Sequence, residues 1–290
     1  FFFHPQAGIR DSVASRGLGD VYKRQRPMLI RVHVGIGMIT MQPSGRGYDH
    51  GVSTFSPDGR LYQVEYARES VKRGTTTVGL IYKDGVVLIV DKRIQSKLVI
   101  TDSIEKMYKI DDHIGITTSG LVADARQLVD RARVQCQINR MTYGDSIPVP
   151  TLVKKMCDHK QSFNQYGGAR PFGTALLIAG IDDEGVHLFE TDPSGAYQSY
   201  HAGAIGRGRS AVIDYFEDKW KSGMTQNASI KLGLEALRDS LEDELNADTV
   251  EIANVDSGGY SKLDRKTTLT VSYTHLRAHE TLRYRVCRLG

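Results

Sequence analysis

The sequence predicts an α+β fold in which two β-sheets are stacked and covered by helices, a four-layer αββα sandwich. A pair of β-branched runs around Asp84-Gly85 predicts a buried hairpin. Apolar residues that recur at helical spacing predict several long helices. The elements come as strands, two helices, strands, two helices and a strand. Runs of one type are typical of layered α+β folds rather than of alternating βαβ units.

The first strands are TTTVGLIY and VVLIVD, on either side of Lys83-Asp84-Gly85. Their almost continuous apolar character predicts burial on both faces of the sheet. A second pair is predicted at Met107 to Ile110 and Ile114 to Thr118, around a turn of Asp111-Asp112-His113.

The rest of the chain supplies four helices and further strands. The helices are predicted at about 121–140, 151–166, 208–221 and 227–245. Strands are predicted at 173–181, 186–191 and 196–204, with a last strand at 250–255.

One more helix is predicted near the start, over residues 60–73, in the stretch YDHGVSTFSPDGRLYQVEYARESVKRG. Ser56 is expected to be its N-cap, with Pro57 at a first-turn position where proline is tolerated. Its apolar positions repeat at helical spacing, and Gly74 after two basic residues is expected to end it. Composition alone favours an ordinary helix packed on its own domain.

Both ends of the sequence look like translated adapter DNA. One back-translation of residues 15–25, SRGLGDVYKRQ, has a reverse complement that encodes VSYTHLRAHE, residues 271–280, in another frame. Unrelated protein segments should not be related in this way, and the DNA resembles the adapter of transposase-based sequencing libraries.

We therefore expect residues 1–40 to be adapter and upstream read-through, residues 41–270 to be the folded domain, and residues 271–290 to be an adapter-derived tail. Met41 is favoured as the start over Met38 or Met28. Resequencing of the native locus tests this, and finding both terminal segments there would contradict it.

Composition excludes several classes of function for the central part. The full chain carries a formal charge of +4, but the terminal segments hold ten of the 38 Lys and Arg and three of the 34 Asp and Glu, which leaves a net charge of −3. The basic balance therefore gives no support for nucleic-acid binding. No apolar run is long enough to span a membrane, so a cytoplasmic protein is expected. Cys136 and Cys157 have no metal-ligand spacing, and no metal site or cofactor is predicted.

The stretch Tyr48-Asp49, followed by FSPDGRLYQVEYA from Phe55 to Ala67, closely resembles the N-terminal signature of proteasome α subunits, especially the archaeal kind. The resemblance extends over about 41–263 and implies the αββα fold of N-terminal-nucleophile hydrolases. It also implies a homoheptameric ring that lies on a ring of proteolytic β subunits and admits unfolded protein substrates.

The resemblance further implies a pocket between adjacent subunits that binds the C-terminal tail of an activating ATPase, a tail that ends in a hydrophobic residue, a Tyr and any residue. Lys106 matches the lysine that receives the tail's carboxylate, Gly120 and Leu121 match the pocket wall, and Gly59 and Glu65 are expected nearby. A surface lysine and ordinary turn residues are the plain alternatives.

Two further sets of residues match the family's pore. Residues 41–59 correspond to the gating arm, and Tyr48, Asp49, Pro57 and Tyr66 match the cluster that holds the arm upright when the gate is open. Tyr166, Gly167 and Gly168 match the loop that narrows the pore below the gate. Helix core, a cap and a two-glycine helix terminator would account for these residues without a pore.

An autoprocessed threonine hydrolase of the β type is the alternative from another class. Gly74-Thr75 resembles the cleavage site that frees a threonine nucleophile, and Asp91 and Lys106 lie where β subunits carry an acid and a lysine. Against it, the preceding segment resembles the non-proteolytic subunit, and Gly206-Arg207-Gly208 replaces the Gly-Ser-Gly turn. The later Asp-x-x-Ser-Gly-Gly element of β subunits is matched only in part, by Val255-Asp256-Ser257-Gly258-Gly259, which follows the last predicted strand rather than preceding it. A stand-alone ring scaffold without a protease partner is a third possibility.

Overall fold

The computed structural model describes residues 51, 53–93, 98–100, 103–166, 169–240 and 249–263. Contacts divide the chain into two units, residues 1–44 and 45–290, and the first unit lies wholly outside the described residues.

Helices and strands follow one another in nearly the predicted order. The N-terminal half comprises α1 (Tyr62–Arg73), β1 (Thr77–Tyr82), β2 (Gly85–Asp91), β3 (Met107–Asp111), β4 (Ile114–Gly120), α2 (Val122–Tyr143) and α3 (Val149–Gln165). The C-terminal half comprises β5 (Thr174–Asp182), β6 (Gly185–Thr191), β7 (Tyr197–Ser199), β8 (Ala202–Ile205), α4 (Arg209–Lys219), α5 (Gln226–Ser240), β9 (Val250–Asp256) and β10 (Gly259–Lys262).

In the described part of the chain the strands form two five-stranded antiparallel sheets. Their orders are β10-β9-β2-β1-β8 and β3-β4-β5-β6-β7. The hairpin predicted at Asp84-Gly85 is confirmed, with Tyr82 opposite Gly85 and Thr77 opposite Val90.

Strand β2 shows why the layers stack as they do. Val86, Leu88 and Val90 point into a core shared with Leu177 of β5 in the other sheet. Their neighbours Val87 and Ile89 point the opposite way, into a core shared with α4 and α5. Because successive strand residues face opposite sides, a fully apolar strand needs a partner on each face.

The second sheet is covered in the same way. Ile116 and Ile178 pack with Leu128 of α2 and with Leu152 and Met156 of α3. Helices α2 and α3 thus form one outer layer, α4 and α5 form the other, and the predicted αββα sandwich is confirmed.

Helix α1 begins later than expected, and the predicted N-cap at Ser56 is wrong. The residue before the helix is Leu61, which makes no side-chain cap. Ser56 instead closes a turn: its Oγ accepts from the Arg60 N–H at 3.0 Å, and its carbonyl accepts from the Gly59 N–H at 2.9 Å. Gly59 has φ of 73°, a left-handed conformation that cannot continue into a helix.

The single strand predicted at 196–204 is two strands that belong to different sheets. Tyr197–Ser199 pairs with β6, whereas Ala202–Ile205 pairs with β1. The chain crosses between sheets at Tyr200 and His201, since the Tyr200 N–H bonds to Leu188 and the His201 carbonyl accepts from Ile81. The strand at 250–255 is likewise not the last, because β10 folds back on it through a turn at Asp256-Ser257-Gly258.

Asp182 supplies the N-terminal cap that α3 lacks in its own sequence. Pro148, which precedes the helix, makes no side-chain cap, and the Val149 N–H donates to Asp182 Oδ2 at 2.9 Å. The same carboxylate bonds to His187 Nε2 at 2.8 Å. Burial tends to raise the pKa of Asp182, but these bonds outweigh it and leave the pKa below its usual value.

We expect Asp182→Ala to lower the free energy of unfolding by about 1–2 kcal/mol, the usual cost of a lost cap. Urea unfolding at matched protein concentration measures the effect. The control is Asp183→Ala, an exposed neighbour, which should shift the midpoint little. Equal midpoints for the two variants would contradict the capping role.

Candidate functional site

A cavity of about 550 Å³ lies beside α1, where the helix meets the end of β4. Its lining comprises Tyr66, Glu69, Ser70, Arg73, Gly74, Gly120 and Leu121. The structure thus brings together three of the sequence-predicted residues, the wall residues Gly120 and Leu121 and the gate residue Tyr66, in one concave site.

Two glycines allow α1 to approach β4 closely. A Cβ atom at Gly74 would lie 2.6 Å from the Gly120 nitrogen, so there is no room for a side chain at this position. The prediction that Gly74 ends the helix is confirmed: it follows Arg73, its N–H donates to the Val71 carbonyl at 2.9 Å, and its backbone is extended, with φ of −66°. Gly120 has φ of 113°, which other residues rarely adopt.

Lys106 lies beside this cavity but not among its lining residues. The Lys106 carbonyl accepts from the Thr118 N–H at 3.2 Å. Lys106 therefore lies opposite Thr118, which precedes Gly120 by two residues on β4. Its ammonium donates to Thr75 Oγ1. Burial lowers the pKa of Lys106, the Asp91 carboxylate opposes that shift, and the Lys92 charge adds to it.

The three residues of the threonine-hydrolase alternative do come together. Thr75 Oγ1 donates to the Asp91 carbonyl at 2.7 Å and accepts from Lys106. Burial raises the pKa of Asp91, against the opposing charges of Lys106 and Arg93. The missing element is a base, because the Thr75 nitrogen is joined to Gly74 in a peptide bond and is not a free α-amine.

The segment before Thr75 is held in place on the fold. Ser119 Oγ lies 3.2 Å from both the Val71 and the Thr75 carbonyl oxygens, and the Arg207 N–H donates to the Gly74 carbonyl at 3.0 Å. Helix α1 also buries Val64, Ala67 and Val71. In this form of the chain α1 is an integral element, and Gly206-Arg207-Gly208 helps to seat it.

The other predicted residues are more scattered. Glu65 is paired with Arg60 at 2.7 and 2.8 Å on the exposed side of α1. Gly59 and Pro57 lie in the exposed turn before the helix. Tyr166 is 69 % exposed just after α3. Tyr48, Asp49, Gly167 and Gly168 lie outside the described residues, so their roles stay predictions.

Sequence reasoning missed Glu69, Ser70 and Arg73 of the cavity. They follow Tyr66 by three, four and seven residues, which is the spacing of residues on one side of a helix. The signal was present in that spacing, but polar residues on a helix flank also describe an ordinary solvated face.

Residues 71–255 match the family described as "Proteasome subunit", and residues 48–69 match the N-terminal signature of A-type proteasome subunits. The chain belongs to the proteasome subunit family. The signature match ends within α1, so the helix that flanks the cavity is largely the family's own diagnostic segment.

Curated relatives named as the α subunit of the proteasome cover most of this proteasome chain. The protein from Methanosarcina barkeri is 60% identical over 209 residues, which is 72% of this chain and 84% of the relative. The one from Methanopyrus kandleri is 55% identical over 228 residues, 79% of this chain and 93% of the relative. The one from Methanosphaerula palustris is 55% identical over 229 residues, 78% and 95% of the two chains.

None of the described helices combines the length and the apolar character that crossing a bilayer requires. In the same residues, no three His, Cys, Asp or Glu side chains are grouped so that they could hold a metal ion.

Proposed function

We infer that this chain serves as a non-catalytic α subunit of an archaeal-type core proteasome. The observation that carries the inference is the α-type N-terminal signature at residues 48–69, in a chain whose α1 remains packed against the fold ahead of Thr75. A β subunit would have to discard this segment to expose a nucleophile. The relatives named as proteasome α subunits support the same conclusion.

We further propose that the chain forms a homoheptameric ring in the cytoplasm. The ring would lie on β subunits that supply the threonine peptidase, and it would admit unfolded proteins through a gate formed by the arms at residues 41–59. Electron microscopy of the purified segment 41–270 tests this, with seven-fold rings as the expected result. A chain that stays monomeric at every concentration would contradict it.

The two other functions give distinct outcomes. Co-purification with a β subunit separates a proteasome subunit from a stand-alone ring scaffold. Intact-mass measurement separates it from an autoprocessed hydrolase, because a species that begins at Thr75 would show that the segment is removed.

The cavity beside α1 is proposed to hold the C-terminal tail of a regulatory ATPase. Gly120 and Leu121 would form its wall, and Lys106, Gly59 and Glu65 would act from its margins, with the adjacent subunit completing the pocket. The open shape of the cavity supports this proposal, because a neighbouring subunit would have room to complete its boundary. The ammonium of Lys106 donates to Thr75 Oγ1, next to the cavity residue Gly74, and this position supports recognition of a carboxylate.

Deletion of residues 41–52 should speed peptide hydrolysis by assembled particles without any activator. The arm contains Gly45, Gly47 and Gly51 and few apolar side chains, so it has little to stabilise one conformation by itself. Hydrolysis of a fluorogenic peptide by reconstituted particles measures the effect, with peptide hydrolysis by isolated β subunits as the reference. An unchanged rate would remove the gating role.

A further inference from the structure

The short segment 170–173, which follows Tyr166 and leads into β5, is fixed to three elements at once. The guanidinium of Arg170 forms a two-pronged ion pair with Asp124 of α2, at 2.6 and 2.7 Å. Phe172 is buried and packs edge-on against Phe163 of α3, with ring centroids 4.7 Å apart. Gly173 makes the third set of contacts, with the cavity wall.

Gly173 touches the cavity wall directly. Its carbonyl accepts from the Leu121 N–H at 2.9 Å and from Ser70 Oγ at 3.3 Å. A Cβ atom at Gly173 would lie 2.8 Å from Leu121 Cδ1, so there is no slack between the two residues. A Leu121 side chain that is pressed toward Gly173 must therefore displace Gly173 or the groups that hold it.

Asp124 joins the start of α2, which follows Leu121, to the segment 170–173. It stands one turn beyond Leu121, and its side chain is only 9 % exposed. Its Oδ2 accepts from Arg170 and, at 2.8 Å, from the Gly173 N–H, while its Oδ1 accepts from the other prong of Arg170. Burial would raise the pKa of Asp124, but the Arg170 and Gly173 hydrogen bonds outweigh it and hold the pKa below its usual value.

We propose that Asp124 is a positioning residue that couples occupancy of the cavity at Leu121 to residues 170–173, the segment that leads into β5. The inference rests on the proposed function, since the occupant is the C-terminal tail of an activator. A tail that presses on Leu121 acts on the first turn of α2 and, through Asp124, on Arg170 and Gly173. Tail binding thereby reaches residues 170–173, which follow the predicted pore loop.

The test uses assembled full-length particles and a synthetic heptapeptide that ends in a hydrophobic residue, a Tyr and any residue. Hydrogen exchange is followed in fragments that cover α1 and residues 169–176, with and without the heptapeptide. In the native particle both fragments should exchange more slowly with the peptide, residues 169–176 by about threefold or more. In Asp124→Asn the α1 fragment should still be protected, whereas the protection at 169–176 should disappear.

Two further variants make the outcome specific. Asp130 lies on the same helix as Asp124, but its side chain is 74 % exposed. Asp130→Asn should therefore show the same protection at 169–176 as the native protein. Arg170→Lys keeps the cation but loses the two-pronged geometry, so it should reduce the protection at 169–176 in part. If Asp124→Asn does not fold, the protection measured in Arg170→Lys tests the coupling in its place.

The failures are distinguishable. If the heptapeptide protects α1 but not residues 169–176 in the native particle, or protects both in Asp124→Asn, the coupling through Asp124 is wrong and the proposed function stands. If the heptapeptide protects neither fragment of the native particle, tail docking in the cavity is wrong and the coupling falls with it.

Discussion

Particles that carry Lys106→Ala should assemble normally and lose stimulation by the activating ATPase. The ammonium is partly buried, and its pKa is lowered because burial removes solvation that the nearby Asp91 only partly replaces. A terminal carboxylate that reaches it gains a charge-assisted hydrogen bond worth about 1.5–3 kcal/mol. Loss of that bond should weaken tail binding roughly ten- to a hundredfold.

Titration of the tail heptapeptide against peptide hydrolysis measures this loss. Lys109→Ala is a matched control, because Lys109 lies on β3 only three residues after Lys106 but is exposed and paired with Asp112 at 2.6 Å. Lys106→Arg keeps the charge and should retain part of the stimulation. Unchanged half-maximal concentration and maximal rate in Lys106→Ala would exclude this lysine from the docking site.

A second control separates recognition from local structure. Lys106 donates a hydrogen bond to Thr75 Oγ1, so its removal also disturbs the strand that follows α1. Thr75→Val removes that bond, together with the bond from Thr75 Oγ1 to the Asp91 carbonyl, with little change in side-chain shape, and it keeps the charge of Lys106. Stimulation should survive in Thr75→Val. An equal loss in both variants would show that Lys106 acts by holding Thr75 rather than by binding the tail.

Much of the layered fold was predictable because its strands are buried on both faces. The runs TVGLIY and GVVLIVD have almost no polar position, and such strands are stable only between two covering layers. The split between β7 and β8 was not predictable in the same way. Both pieces have acceptable strand composition, and the partner of each is decided by tertiary pairing at Tyr200 and His201 rather than by local pattern.

The site shows the same division between local and long-range information. Gly120 and Leu121 were predicted by resemblance, and Ser56 was misplaced because Ser-Pro-Asp-Gly is as good a turn as it is a helix start. The pair of Asp124 and Arg170 could not be foreseen, since 46 residues separate its members. Only the fold brings a residue of α2 to the chain that leads into β5.

Replacement of Lys160 by Met should stabilise the protein at neutral pH and destabilise it at high pH. Lys160 on α3 is fully buried, and burial lowers its pKa to about 8. Its ammonium donates to Thr191 Oγ1 at 2.8 Å and to the Thr174 carbonyl at 3.2 Å. The carboxylate of Asp192 offers partial compensation, but it is already bound by Arg68 at 2.9 Å.

The direction of the pH dependence follows from the pKa of Lys160 in the folded and unfolded states. The unfolded lysine titrates near 10.5 and the folded one near 8, so the folded state binds fewer protons between these values and the native protein gains stability as pH rises through the window. Below pH 8 the buried charge costs about 3 kcal/mol, and the hydrogen bonds return about 1 kcal/mol. Lys160→Met, whose flexible side chain fills a similar space, should therefore gain about 1–2 kcal/mol at pH 7.

Above pH 10.5 the charge penalty is gone and the lost hydrogen bonds remain, so the order of the two proteins should reverse. Urea unfolding of native and variant chains at pH 7 and pH 10.8, at equal concentration, measures the difference and cancels the titration of other groups. Lys154→Met, an exposed position on the same helix, should give a small difference that does not depend on pH. A difference for Lys160→Met that is constant across the window would show that the lysine is not held at a lowered pKa in the folded protein.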